Sequence, residues 1–189
     1  MLDIYQWIED HHDEQVAELQ TLLRQPSISA QNIGLDECAE LLKNQMQENG
    51  FTDVRRIPVE GGPDLVYATE RAADPNAKTL LCYGHYDVQP PEPLEKWISP
   101  PFEAEIHNGV IYARGATHDK SGVRAWVRAT RAFKEVRGAP PVNLVYLFEG
   151  EEEMGSPHLE QWVLNNLDLC QCDASVGLDG GVHRTSYKP

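Results

Sequence analysis

The sequence has few cysteines, few basic residues and no long apolar run, and each shortage excludes a class of protein. No segment approaches the roughly 20 apolar residues of a membrane-spanning helix. The four cysteines have spacings that fit neither a disulfide framework nor a paired-cysteine zinc site. Lysine and arginine total 16 against 30 acidic residues, a formal charge of −14. Such a surface repels nucleic-acid phosphates and anionic membranes, so we expect binding to neither.

The remaining composition is that of one soluble globular domain. Of the 189 residues, 41% are apolar and 24% are charged, and residues 1–189 are predicted to form one unit. The N-terminus carries acids early and lacks a basic segment followed by an apolar stretch, so no signal peptide is predicted. With no disulfide framework, a reduced cytoplasmic setting is expected.

Helical and strand-like segments alternate along the chain. Apolar spacing predicts helices over 4–23, over 35–47, after an N-cap at Ser121, and after an N-cap at Ser156. The strand-like segments are 51–59, 64–70, 78–85, 109–115, 141–150 and 173–181. This order favours an α/β fold, a three-layer α/β/α sandwich with a mostly parallel central sheet.

Three predicted strands end in residues that can bind a metal ion. His85 and Asp87 follow one strand, the acidic run 149–153 follows a strongly apolar one, and Asp179 follows the last. Sites in open α/β sheets form outside the carboxyl ends of strands, so we expect these residues at one rim. Histidine with carboxylates is typical of a catalytic zinc site, although a solvated acidic loop and a hydrogen-bonded histidine are alternatives.

The stretch ARGATHDKSG, residues 113–122, raises a separate question. His118 and Asp119 lie between a glycine-containing turn and a predicted helix start. The residues alone leave three interpretations: a metal-binding corner, a polar turn, or a site that has lost its proper ligand.

Other titratable residues are predicted to have structural roles. Arg114 is expected to form an ion pair near the site. Glu149 and Glu151 are expected to face solvent or to support the ligands. The histidines without a motif are predicted to lie at the surface: His11, His12, His107, His158 and His183.

Three motifs together resemble a known family. YGHYDVQP, KWISPPFEAEIHNGVIYARGATHDKSG and FEGEEEMGS, in this order, resemble the dinuclear zinc hydrolases. That family includes carnosinase-type dipeptidases, acetylornithine deacetylase, succinyl-diaminopimelate desuccinylase and aminoacylases. The resemblance extends from about Ile4 to Pro189, and Trp97 with residues 100–102 favours the dipeptidase branch. It implies metal-dependent cleavage of a peptide or amide bond in a small peptide or N-acyl amino acid.

The resemblance also implies a role for each motif residue. Asp87 and Glu152 are the expected catalytic residues: Asp87 fixes the imidazole of His85, and Glu152 is the general base. Two Zn²⁺ ions are bound in the family, and the same ligands are compatible with Mn²⁺ or Co²⁺. The expected metal ligands are His85, His118, Glu153 and Asp179.

His118 departs from the family pattern in the way that matters most. The family has at this position an aspartate that bridges both zinc ions. A carboxylate can span two cations, whereas a neutral imidazole offers one lone pair. We therefore expect this chain to hold one metal ion or none tightly, with weak or absent activity.

The length of the chain is a second departure. Family members continue into a lid domain and then return to complete the catalytic domain, whereas this chain stops at residues 186–189. The expectation is an N-terminal part of the catalytic domain, incomplete relative to the family and without the lid. An unpaired sheet edge would then favour homo-oligomers.

These expectations support two functions. The first is the N-terminal portion of a zinc dipeptidase-like hydrolase. The alternative is a non-catalytic metal-binding or self-associating fragment on the same fold. A nucleotide-binding protein is disfavoured because no glycine-rich phosphate loop follows the first strand.

Overall fold

A five-stranded sheet lies at the centre of residues 1–180, the part of the chain that the computed structural model describes. The strands are β1 (Asp53–Ile57), β2 (Leu65–Glu70), β3 (Thr79–His85), β4 (Glu105–His107), β5 (Val110–Tyr112), β6 (Asn143–Glu149) and β7 (Ala174–Gly177). The central sheet has the order β1-β2-β6-β3-β7, and β4 and β5 form a separate hairpin.

Most of the central strands run in one direction, as predicted. β3 is parallel to β6 and to β7, whereas β2 is antiparallel to both β1 and β6. The sheet is therefore mixed, with β2 as its single reversed strand. The segment 109–115 supplies the hairpin strand β5 and not a central strand. The segment 173–181 forms a strand only over Ala174–Gly177, and its last residue lies outside the described residues.

Helices cover both faces of this sheet, so the predicted three-layer sandwich is confirmed. The helices are α1 (Leu2–Asp10), α2 (His12–Arg24), α3 (Leu35–Glu48), α4 (Lys120–Arg137) and α5 (Leu159–Asn165). Helices α2, α3 and α4 contribute to one buried cluster with β2, β3 and β6. On the other face, Trp162 of α5 packs against a second cluster from the same strands.

Strand β6 is buried on both faces because its side chains alternate between the two clusters. Tyr146 and Phe148 pack with α3 and α4, whereas Val145 and Leu147 pack with α5. Burial of each such side chain contributes about 1.5–3 kcal/mol. The unbroken apolar run of β6 therefore reflects a central position in the sheet.

Three predicted helix boundaries are wrong, and side-chain contacts explain two of them. The helix expected over 4–23 is divided at His11, whose Nδ1 lies 2.7 Å from the carbonyl oxygen of Trp7. Arg128 donates to the His11 carbonyl at 2.9 Å, so polar side chains satisfy the backbone groups at this break. Ser156 does not cap a helix, because its hydroxyl donates to Glu149 and α5 begins only at Leu159.

The start of α4 is anchored by a buried lysine. Helix α4 begins at Lys120, so Ser121 lies within the helix and is not its N-cap. The Lys120 ammonium donates to the carbonyl oxygens of Leu22 (3.1 Å) and Gln25 (2.6 Å) at the end of α2. This contact fixes the start of α4, and exposed His118 lies two residues before it. No helix of the described residues is both long and apolar enough to span a bilayer.

Candidate metal centre

The carboxyl ends of three parallel strands bring the predicted site residues to one rim. His85 is the last residue of β3, and it pairs in register with Glu149 at the end of β6. A short 3₁₀ turn, Glu152–Met154, follows β6, and Asp179 lies two residues beyond β7. His118 reaches the same rim from the segment that precedes α4.

Four side chains at this rim form a potential metal-binding cluster. His85, His118, Glu152 and Asp179 each offer one ligand atom, and these atoms all lie within 4.8 Å of one another. His85 Nε2 is 3.7 Å from Glu152 Oε2 and 3.9 Å from Asp179 Oδ2. The two imidazole rings meet edge to face, with centroids 4.8 Å apart. The donor set of two imidazoles and two carboxylates suits Zn²⁺ and similar divalent ions.

His85 shows directly that the cluster fits a cation. Its side chain is fully buried, yet Nε2 has no hydrogen-bond partner among the described residues. Nδ1 lies 3.2 Å from Asp87 Oδ1 and 3.1 Å from the Asp87 carbonyl oxygen. Both partners are acceptors, so Nδ1 carries a proton, and Nε2 is the ring nitrogen that faces the cluster and can bind a metal ion in exchange for its own proton.

Asp87 connects this histidine to the turn that carries the glutamates. Its fully buried carboxylate accepts hydrogen bonds from the backbone N–H of Glu152 through Oδ1 and of Glu153 through Oδ2, each 3.1 Å long. Oδ1 also accepts from His85 Nδ1. One carboxylate thereby fixes both the imidazole and the start of the turn.

The electrostatics of the rim favour a positive charge. Burial opposes protonation of His85, but the Asp87 hydrogen bond and nearby carboxylates outweigh it and raise the pKa of His85 to about 9. Burial also raises the pKa of Asp119 to about 6. An accumulation of carboxylates that stabilises an imidazolium will also stabilise a bound cation.

His118 lies between two carboxylates, and Asp119 does not take its place. His118 Nδ1 is 2.7 Å from Asp179 Oδ1, and its Nε2 is 3.6 Å from Glu153 Oε1. Asp119 is buried beneath the rim, where a side chain on Gly122 would collide with its carboxylate. Of the three interpretations of this stretch, the cluster supports the metal-binding corner, with the imidazole and not Asp119 at the rim.

Glu153 lies beside the four-residue cluster, with its Oε1 3.6 Å from His118 Nε2. The sequence predicted Glu153 as a ligand and Glu152 as the base, whereas Glu152 is the glutamate whose carboxylate is nearer to His85. Gln89 donates to Glu153 Oε2 at 2.8 Å and to its carbonyl oxygen at 3.1 Å. Gln89 belongs to the motif YGHYDVQP but received no role from the sequence. The roles of Glu152 and Glu153 stay predictions.

The structure also places the residues that were predicted to support the site. Glu149 and Glu151 are both buried, which excludes the solvent-facing alternative and leaves the supporting one. Glu151 accepts the backbone N–H of His158 at 2.8 Å and lies 3.0 Å from its imidazole Nδ1. Arg114 donates to the carbonyl oxygen of Pro90 and lies over the ring of Trp97, in place of the expected ion pair.

The histidines predicted at the surface are all at least partly exposed where the structure describes them: His11, His12, His107 and His158. His183 lies outside the described residues. Cys170 and Cys172 are free thiols and do not belong to the ligand cluster.

Comparison with known proteins identifies relatives of this arrangement. A sequence profile of peptidase family M20/M25/M40 matches residues 81–183. The chain is 35% identical over 137 residues to the Cys-Gly metallodipeptidase of Saccharomyces cerevisiae, which covers 66% of this chain and 28% of that protein. It is 31% identical over 186 residues to the Beta-Ala-His dipeptidase of Homo sapiens. That match covers 87% of this chain and 35% of the human protein.

A solved structure agrees with these sequence matches. The crystal structure of an M20 family metallo-carboxypeptidase from Sulfolobus solfataricus is similar with a TM-score of 0.81 and 37% sequence identity. The similarity covers 89% of this chain and 37% of that one. The chain therefore spans roughly a third of the length of the curated relatives that it matches.

Proposed function

The match over more than half of its residues shows that the chain belongs to peptidase family M20/M25/M40, and on that premise we propose that it forms part of a metal-dependent hydrolase of the dipeptidase type. The observation that carries this proposal is the buried His85 Nε2, which has no hydrogen-bond partner in residues 1–180 and faces Glu152 and Asp179. A fully buried polar nitrogen without a hydrogen-bond partner is costly unless a ligand occupies it.

Within this proposal the residues of the rim have distinct tasks. His85, His118 and Asp179 would hold the cation, which would polarise the scissile carbonyl group and acidify the attacking water. Glu152 takes a proton from that water on its carboxylate and passes it to the leaving amine. Its partly exposed side chain can meet a substrate, and its backbone N–H is held by Asp87. Asp87 keeps His85 oriented throughout.

We propose that this site holds one divalent ion and not two. The short contact between His118 Nδ1 and Asp179 Oδ1 supports this, because it occupies one ring nitrogen with a carboxylate. A single remaining nitrogen cannot join two cations as a carboxylate does. Low activity is the expected consequence, and His118→Asp is expected to raise both metal content and turnover.

The proposed substrates are dipeptides, such as those named for the two curated relatives, Cys-Gly and Beta-Ala-His. Residues 1–189 are proposed to be the N-terminal part of the catalytic domain. We also propose Zn²⁺ as the metal and a reduced, cytoplasmic location, which the four free thiols favour. The exposed residues of β7, which pairs only with β3 among the described strands, support self-association at this edge.

Metal counting and peptide hydrolysis test the function together. Purified protein titrated with Zn²⁺ should bind one ion per chain, and hydrolysis of Cys-Gly should then appear above a metal-free blank. Glu152→Gln should abolish turnover and leave the fold intact, whereas Glu160→Gln, at an exposed position on α5, should have no effect. Turnover that persists in Glu152→Gln, or two tightly bound ions in the unaltered chain, would contradict the proposal.

A further inference from the structure

Glu149 is a buried carboxylate for which the hydrolytic function assigns no task. It ends β6, and its side chain is almost completely buried. Its Oε1 accepts hydrogen bonds from the hydroxyl of Tyr83 and, at 2.8 Å, from the hydroxyl of Ser156. Burial raises the pKa of Glu149, which expresses the free-energy cost of placing a carboxylate there. An apolar side chain in this position would avoid that cost.

The two hydroxyl partners come from different parts of the rim. Tyr83 lies on β3, two residues before His85 and on the same side of the strand. Ser156 closes the turn that follows β6, where its N–H donates to the carbonyl oxygen of Glu151 at 3.1 Å. Glu149 therefore joins the strand that carries His85 to the far end of the turn that carries Glu152.

The same turn is held at its near end by Asp87, through the N–H groups of Glu152 and Glu153. Inside the turn, the N–H of Gly155 donates to the carbonyl oxygen of Glu152 at 2.7 Å. A turn fixed at only one end could pivot and carry both carboxylates away from His85. Two anchors, one at each end, remove that freedom.

From this geometry we infer that Tyr83, Glu149 and Ser156 form a positioning network that sets the distance between His85 and the glutamates of the turn. The network does not touch substrate or metal; it acts through the turn. Its predicted effect on metal affinity rests on the proposed function, whereas its effect on the turn itself does not. Partners that orient ligands typically change metal affinity 10–100-fold when they are removed.

Three single variants test the network. Tyr83→Phe and Ser156→Ala each remove one hydroxyl and retain most of the side-chain volume. Tyr67→Phe is the matched control, because Tyr67 also lies in the α5-facing cluster and its hydroxyl donates to a carbonyl oxygen, that of Leu169, away from the turn. All are measured in the full 189-residue chain.

The first measurement is amide hydrogen exchange of residues 152–156 in metal-free protein. We expect exchange to accelerate at least about tenfold in Tyr83→Phe and Ser156→Ala, and to stay unchanged in Tyr67→Phe. Unchanged exchange in both test variants, or equal acceleration in the control, overturns the inference. This measurement decides the question even if the unaltered chain binds no metal, which would refute the proposed function alone.

The second measurement is the affinity for Co²⁺, determined by titration calorimetry and by the visible absorption of the bound ion. Tyr83→Phe and Ser156→Ala should each weaken binding about 10–100-fold and alter the spectrum. The double variant should lose little more than one single variant, because the residues act as a unit. If the unaltered chain binds Co²⁺ and both test variants bind it within twofold of that affinity, the positioning role is refuted.

Discussion

Replacing Asp87 by alanine should damage both the fold and the metal centre, because three hydrogen-bond donors converge on this one carboxylate. His85 Nδ1 and the N–H groups of Glu152 and Glu153 all lie within 3.2 Å of its oxygens. The His85 ring is fully buried, so loss of its partner costs about 1–3 kcal/mol. Glu152 and Glu153 are partly exposed, so water can replace part of the hydrogen bond that each N–H loses. Each loss should therefore cost about 1 kcal/mol.

The expected total for Asp87→Ala is about 3–5 kcal/mol in the free energy of unfolding, measured by urea denaturation. Zn²⁺ affinity, measured by calorimetry on the fraction that remains folded, should fall about 10–100-fold because His85 and the turn are no longer oriented. Asp87→Asn retains one acceptor oxygen and the side-chain volume, so it should lose less stability.

Asp168→Ala, at an exposed position, controls for the loss of a negative charge and should change stability by less than about 0.5 kcal/mol. An Asp87→Ala protein that keeps its stability within that margin and binds Zn²⁺ within threefold of the unaltered chain would refute the reasoning. In that case the three contacts would have no energetic coupling to the site.

Three further predictions concern other parts of the molecule. A thiol reagent at pH 8 should label exposed Cys172 rapidly and should react with Cys38 and Cys82 only after the protein unfolds. Both of these thiols are buried, and burial raises the pKa of Cys82 to about 12. Equal labelling rates for Cys82 and Cys172 would contradict this. Burial raises the pKa of Glu149 above 4.5, so its contribution to stability is present below pH 4.5 and is lost as pH rises through the folded-state pKa. Urea unfolding should therefore show the unaltered chain losing stability relative to Glu149→Gln over that rise, and parallel curves would count against it. Val176→Lys on β7 should reduce self-association in light scattering, and an unchanged mass distribution would exclude this edge as the contact.

The sequence predicts much of the layered fold because the decisive signals are local. The apolar run of β6 and the ligand residues at strand ends are each visible within about ten residues. Parallel pairing of β3 with β6 then brings His85 and the acidic turn together without further information. The position of Asp179 beside His85 follows from the same rule for β7.

Contacts between distant side chains are the part that the sequence could not predict. The acidic run left open whether Glu149 faces solvent or supports the ligands, and its hydrogen bond from a tyrosine 66 residues away in the chain could not be predicted. At the break in the first helix, the His11 carbonyl oxygen accepts a hydrogen bond from Arg128, which lies 117 residues away in the chain. Such partners have no periodicity and no fixed spacing, so only the folded chain reveals them.

The location of Asp179 connects the exposed strand β7 to the buried end of β3. β7 is exposed throughout and is held only by β3 among the described strands, while His85 ends β3 in the interior. A cation bound by both His85 and Asp179 would link the end of β3 to the end of β7. Thermodynamic linkage then requires that metal binding also stabilises the pairing of β7 with β3. The free energy of detaching β7 should rise with the logarithm of the free metal concentration.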